Sequence, residues 1–284
     1  MTGQQARASL PPILRMINDL RSSGSDTEAS VKSCCATVYG IDLVALFLGE
    51  SYHPGGTQLT RRLADRLGLQ PGERVLDVAC GIGTTALLLA AERDVDVVGV
   101  ELGAAQIAKA RARASEAGLS HRSRFELGDA EQLPVDDGQF DAVVCECALC
   151  TFPDKATAAA EMVRALRPGG RVGITDIWLD PAKLDLELRG LAGRIACVAD
   201  ARPIADTVAV LDRAGLTIRE VEHHDDALRD TIDRIVVRLR ALRLVDLPAL
   251  RGFDFALGID VAGRLGELVD RGHAGYALIT AVRG

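Results

Sequence analysis

The sequence predicts an α/β protein: a doubly wound, mostly parallel sheet with an antiparallel last strand and a helical segment at the N-terminus. Three observations carry this. Short apolar runs alternate with amphipathic stretches between residues 57 and 177, the pattern of strands joined by crossover helices. The first run, Val75-Leu-Asp-Val78, breaks into a glycine-rich turn, Ala79-Cys-Gly-Ile-Gly83. The last run, residues 276–282, closes the chain, so it can insert antiparallel beside the strand that ends at Ile177.

In chain order, residues 10–20 are apolar behind Pro11-Pro12, residues 23–28 read as a loop, and residues 31–48 are helical in pattern. His53-Pro54-Gly55-Gly56 is a turn. Residues 1–56 are therefore expected to form a helical cap contributing to the site, and residues 57–284 the main domain. Residues 57–69 are amphipathic, with Leu59, Leu63, Leu67 and Leu69 as the inward face. Strands are expected at 74–78, 96–100, 123–127, 140–145 and 171–177, with helices at 84–92, 104–117 and 155–166. The last of these helices is stopped by Pro168-Gly169-Gly170. Further strands are expected at 216–223 and 276–282, with helical chain at 227–270 between them.

Composition narrows the function. The 284 residues are 48% apolar, enough for one substantial core. The net charge is −7 without a long basic run, and Arg111, Arg113, Arg122 and Arg124 sit among Ala and Glu as on a solvated helix face. Nucleic acid is not an expected partner. No apolar run approaches the roughly 20 residues of a membrane span, and the polar N-terminus lacks the core of a signal peptide. A soluble, cytoplasmic protein with no membrane partner is expected, and the oligomeric state stays open. Seven cysteines in a chain of this kind are expected to be reduced thiols.

The glycine turn, followed one strand later by Glu101, is how a Rossmann-like sheet holds a nucleoside: glycines admit the ligand to the backbone, and the carboxylate accepts from ribose hydroxyls. By itself this also suits NAD. Asp77 within the first strand, Gly128-Asp129-Ala130 after the third, Phe140-Asp141, and Leu166-Arg-Pro-Gly-Gly170 complete an ordered set over residues 60–222. The set resembles the class I S-adenosylmethionine-dependent methyltransferases. The resemblance implies S-adenosyl-L-methionine as cofactor, with Asp77, Gly81 and Gly83 at its methionine end and Glu101, beside Leu102, on the ribose. It places Asp129 and Ala130 on the adenine, and Cys145 and the residues after it at the methionine end and substrate mouth. Read as structure alone, Gly81 and Gly83 permit a tight turn, Asp129 caps one, and Asp77 anchors loop amides.

The thiols suggest an acceptor. Cys145-Glu-Cys147-Ala-Leu-Cys150 follows the fourth strand, Cys34-Cys35 lies in the N-terminal segment, and Cys197 follows the fifth strand. Thiolates favour soft centres. Asp141-Ala-Val-Val-Cys-Glu-Cys147 with Lys155, and Gly190-Leu-Ala-Gly-Arg-Ile-Ala-Cys197, resemble the arsenite methyltransferases. That resemblance implies trivalent arsenic as a thiophilic substrate held by Cys147, Cys197 and either Cys34 or Cys35. The arsenic lone pair would attack the methyl group, and an external thiol reductant would restore the trivalent state. The adjacent cysteines, the His53-Pro-Gly-Gly56 turn and the lack of a long C-terminal extension depart from that family. The rival expectations are a methyltransferase for a small organic metabolite, with the cysteines as packing, and a non-catalytic metalloid- or metal-binding protein. Zinc has one short pair to use, Cys147-Ala-Leu-Cys150. His53 either orients a ligand at the mouth of the site or starts the turn before Pro54.

Overall fold

A computed structural model describes residues 53–184, 188, 200–245, 248–250 and 253–284. Cys34, Cys35, Cys197 and all but the last four residues of the expected N-terminal cap lie outside the described residues. The described elements are helix α1 (Gly56–Leu67), strand β1 (Arg74–Val78), α2 (Thr84–Arg93), β2 (Asp96–Glu101), α3 (Ala104–Glu116), β3 (Ser123–Leu127) and β4 (Phe140–Glu146). They continue with α4 (Lys155–Ala165), β5 (Leu166–Leu179), α5 (Ile204–Arg213), β6 (Leu216–His223), α6 (Asp225–Leu242), α7 (Phe255–Asp270) and β7 (Ala274–Arg283). Among the described residues no helix is long and apolar enough to cross a membrane.

The sheet has seven strands in the order β3-β2-β1-β4-β5-β7-β6. The pairings from β3 to β5 are parallel. β7 enters antiparallel between β5 and β6, as its place at the end of the sequence predicts. The order reverses beside β1, where the chain leaves β1 for β2 on one side and later returns to β4 on the other. In an open α/β sheet that reversal opens a crevice at the carboxyl ends of the strands.

Both faces are covered. One core joins α1, α2 and α3 with Leu228, Ile232 and Leu265 of α6 and α7; the other joins α4 and α5 to the opposite face. The four leucines expected to face inward from 57–69 are all buried. Helix α1 comes close to the sheet because β5 carries Gly173 beneath it, where a Cβ would meet Leu63 Cδ1 at 2.6 Å.

Beyond shifts of one or two residues at element ends, three features differ from the sequence expectation. The Pro168-Gly169-Gly170 segment does not separate α4 from β5. Leu166 pairs with Phe140 and the ladder resumes at Arg171 opposite Ala142, so the turn residues sit in a bulge within β5. Helix α5 was not expected, although Ile204, Val208 and Leu211 recur at helical spacing; of its residues only Leu211 is buried. The helical chain at 227–270 is two antiparallel helices around a short 3₁₀ turn at Pro248–Leu250.

Helix α1 is fastened to the sheet edge by charge as well as by leucine. Arg62 and Arg66 each reach Glu222 of β6 at 2.5 Å, and His224 Nε2 lies 3.2 Å from it. Burial works against the Glu222 carboxylate, but hydrogen bonds from Arg62 and His224 and the two guanidinium charges outweigh it and hold the carboxyl at about 2. A carboxyl lowered on folding stabilises above its ordinary value of 4.5, and that contribution is lost as pH falls towards 2. Glu222→Gln is therefore expected to cost about 1 kcal/mol at neutral pH, the upper range for a pair whose arginines stand half in water. In thermal unfolding followed by circular dichroism, the gap between wild type and variant should close between pH 4.5 and 2.

Candidate active site

At the carboxyl edge of β1, β2 and β4 lies a cavity of about 270 Å³. Glu101, Leu102, Asp129 and Ala130 line one end; His53, Glu146 and Cys147 line the other. Asp77 and the turn after β1 form the floor between them, and Leu228, Ile232, Ile235 and Leu265 of α6 and α7 form an apolar roof.

The floor is built by backbone. Ala79, Gly81 and Gly83 all have positive φ, of 58°, 55° and 78°. At Gly83 the absence of a side chain is also a packing requirement, because a Cβ would meet the Phe125 ring at 2.7 Å. Gly81 donates its N–H to Glu101 at 3.1 Å, and Gly103 donates to the other oxygen of the same carboxylate at 2.9 Å. These two amides fix Glu101 at the cavity wall. Burial raises its pKa, and the Gly103 and Gly81 amides pull the other way. Asp129 Oδ1 accepts from the Glu131 N–H at 2.9 Å, which shapes the turn after β3.

Asp77 is a buried acid facing this floor. Burial pushes its carboxyl well above the usual carboxylate range, the charge of Glu146 adds to the effect, and the Ala86 N–H opposes it. Among the described residues its buried Oδ2 has no hydrogen-bond partner. An orphaned carboxylate oxygen on a cavity floor, a fixed acid at one end and an Asp-Ala turn beyond it suit a nucleoside that carries positive charge at its other end.

The other end is organised around Glu146, which the sequence reading passed over. Its carboxylate is 3% exposed. Oε2 accepts from Thr60 at 2.9 Å and from Thr85 at 2.6 Å, and Oε1 accepts from Thr175 at 3.3 Å. Glu146 and Thr175 stand opposite each other in the β4–β5 pairing. The buried Tyr276 hydroxyl donates to Thr175 at 3.0 Å. His53 Nε2 lies 3.4 Å from Thr60 Oγ1 and 3.7 Å from Glu146 Oε2, while Nδ1 faces the Pro54 carbonyl at 3.2 Å. The usable signal was an acid closing an apolar strand at the ligand edge, the same one that singled out Glu101.

The cysteines separate by position. Cys147 lines the cavity, with φ of 54° and its N–H on the Thr175 carbonyl at 2.6 Å. Cys145, expected at the mouth, is fully buried in the core on the opposite face of the sheet. Side chains alternate along β4, so Glu146 and not Cys145 points to the cavity side. Burial, then the charges of Asp176 and Asp77, push the Cys145 thiol well up. Cys80 packs beneath the floor, its thiol raised by burial and by Asp77. Cys150 is buried, and its N–H donates to Asp176 at 2.7 Å. Among the described residues no three His, Cys, Asp or Glu side chains gather as a ligand set for a metal ion.

Comparison with known proteins agrees with this geometry. Residues 75–170 match the family model of a methyltransferase domain. The chain is 31% identical over 257 residues to 27-O-demethylrifamycin SV methyltransferase of Amycolatopsis mediterranei, a match spanning 84% of this chain and 92% of that protein. It is 34% identical over 164 residues to an arsenite methyltransferase of Halobacterium salinarum, covering 56% of this chain and 41% of that one. Phosphoethanolamine N-methyltransferase 2 of Haemonchus contortus, solved in complex with S-adenosyl-L-methionine, superposes with a TM-score of 0.71 at 20% identity, over 94% of this chain and 60% of its own. With the glycine turn, the two acids and the reversal of strand order already in place, the chain belongs to the class I S-adenosylmethionine-dependent methyltransferases.

Proposed function

We propose that this enzyme methylates a hydroxyl oxygen of a small, largely apolar organic molecule, with His53 as general base. The observation that carries the reading is the His53–Thr60–Glu146 array on the cavity wall beneath the apolar roof of α6 and α7. The curated relative that matches over nearly its whole length, by name a methyltransferase acting at an oxygen, supports it. Bound S-adenosylmethionine supplies the electrophilic methyl group and a neutral thioether leaving group.

The protein supplies position and one proton acceptor. The Pro54 carbonyl can only accept, so the imidazole proton is assigned to Nδ1 and Nε2 is the basic atom. As the acceptor oxygen bonds to the methyl carbon, its proton passes to Nε2. Thr60 then accepts from the new N–H, and the Glu146 carboxylate stabilises the imidazolium. At the other end, Glu101 takes the ribose hydroxyls, with Leu102 against the nucleoside. Asp129 and Ala130 take the adenine. Gly81 and Gly83 let the backbone approach the methionine end, and the orphaned Asp77 oxygen faces its ammonium group.

A second reading keeps arsenic. It is favoured by Cys147 on the cavity wall and by the partial match to an arsenite methyltransferase. It needs Cys197 and either Cys34 or Cys35 to join Cys147 around the metalloid substrate, and an external thiol to reduce the product.

His53→Gln is expected to lower kcat/KM by about 10²–10⁴-fold while S-adenosylhomocysteine affinity, read by calorimetry, is kept. Unchanged turnover of a hydroxyl acceptor by His53→Gln would end the base assignment. Glu101→Gln should weaken S-adenosylmethionine binding by about 10–100-fold, the weight of hydrogen bonds to a charged group. Cys147→Ser separates the two readings: transfer to a hydroxyl acceptor should survive it, whereas arsenite-dependent consumption of labelled cofactor in wild type, abolished in the variant, would establish the arsenic reading instead.

A further inference from the structure

The cofactor loop and the acceptor-side pair are joined by one short hydrogen bond. Thr85 is the second residue of α2, the helix that begins where the Gly81–Gly83 turn ends. Its hydroxyl donates to Glu146 Oε2 at 2.6 Å, the shortest contact that carboxylate receives from a hydroxyl. Thr85 is itself buried and lines the cavity.

The two carboxylate oxygens of Glu146 have different duties. Oε1 is tied to the sheet through Thr175, whose hydroxyl accepts from Tyr276 and so has its own proton directed to Glu146. That side is anchored in β5 and β7, both interior strands of the sheet. Oε2 is shared by Thr85 from the cofactor loop's helix and by Thr60 from α1, and Thr60 is the atom next to His53 Nε2. Movement of the first turn of α2 therefore reaches His53 through a single oxygen atom.

We propose that Thr85 is a positioning residue that couples occupancy of the cofactor loop to the placement of the His53–Glu146 pair. A ligand seated on the Gly81–Gly83 turn sets where Thr85 stands, Thr85 sets Oε2, and Oε2 sets Thr60 and His53. By linkage, an acceptor that engages His53 should in turn tighten the cofactor. The catalytic meaning of the coupling rests on the reading of His53 as base; the coupling itself does not.

The test is nuclear magnetic resonance of histidine-labelled protein with and without saturating S-adenosylhomocysteine. The chain has five histidines, and the His53 ring signal is assigned by its loss in His53→Gln. Wild type and Thr85→Ser should both show the His53 signal displaced by the ligand. In Thr85→Val, which keeps shape and removes the donor, the displacement should fall below half, with ligand affinity within about threefold of wild type. An equal displacement in Thr85→Val, or none in wild type, would overturn the proposal. If His53→Gln keeps full methyl transfer while the displacement still follows Thr85, the coupling stands and the base assignment fails. The opposite pattern removes the coupling alone.

Discussion

A carboxylate taken out of water costs several kcal/mol unless donors replace its hydration. Glu146 is such a group, and its donors come from α1, α2 and β5, whose residues lie far apart in the chain. Helix α1, the cofactor loop and the middle of the sheet must all reach their final places before this acid is satisfied. Gly173 lets α1 sink onto β5, which brings Thr60 and His53 to the sheet edge. Tyr276 on the last strand completes the set by directing Thr175. A requirement at one oxygen pair thus selects the packing of five elements.

The two ends of the cavity are built on different principles. The cofactor end is local: Gly81, Gly83 and Glu101 lie within one strand–turn–helix–strand unit, and backbone amides of that unit hold the acid. The acceptor end is assembled by tertiary contact, from the turn before α1, the end of β4 and the helices between β6 and β7. A local unit can be reused with many partners, whereas an assembled end changes with each packing. The chemistry at the cofactor end is accordingly that of the whole family, and the acceptor must be argued from this chain's own side chains.

The same division explains what could be read in the sequence. Strands β1, β3 and β6 begin and end where their apolar patterns begin and end. The antiparallel pairing of β7 with β5 matches the expectation for the last apolar run. What escaped depended on partners invisible to a local pattern. Leu166 joins β5 because Phe140 is opposite it. Helix α5 turns only Leu211 fully inward. Glu146 sat between two cysteines that drew the chemical argument, although strand alternation places the acid and not Cys145 on the cavity side. His53 reads from the sequence as either a ligand-orienting residue or a turn residue, and it has the turn role, since its carbonyl accepts the Gly56 N–H. Its ring does something else, which only the nearness of Thr60 brings out.

Charge at the site bears on the choice of acceptor. Asp77, Glu101 and Glu146 all face the cavity. Burial raises the pKa of Asp77 and the charge of Glu146 raises it further, as expected of like charges sharing a confined space. Such a field favours a sulfonium in the ground state and an imidazolium forming at His53. It opposes free thiolates, each of which would add negative charge beside carboxylates already crowded together, but not a neutral arsenic trithiolate formed from three thiols with loss of water. Cys80 at the floor and Cys145 on the far face of the sheet are both pushed towards their neutral forms, first by burial and then by neighbouring acids. A neutral hydroxyl that gives up its proton to an imidazole as it reacts adds no net negative charge at any stage. That acceptor therefore suits the electrostatics of the cavity through the whole transfer, from the sulfonium ground state to the imidazolium product.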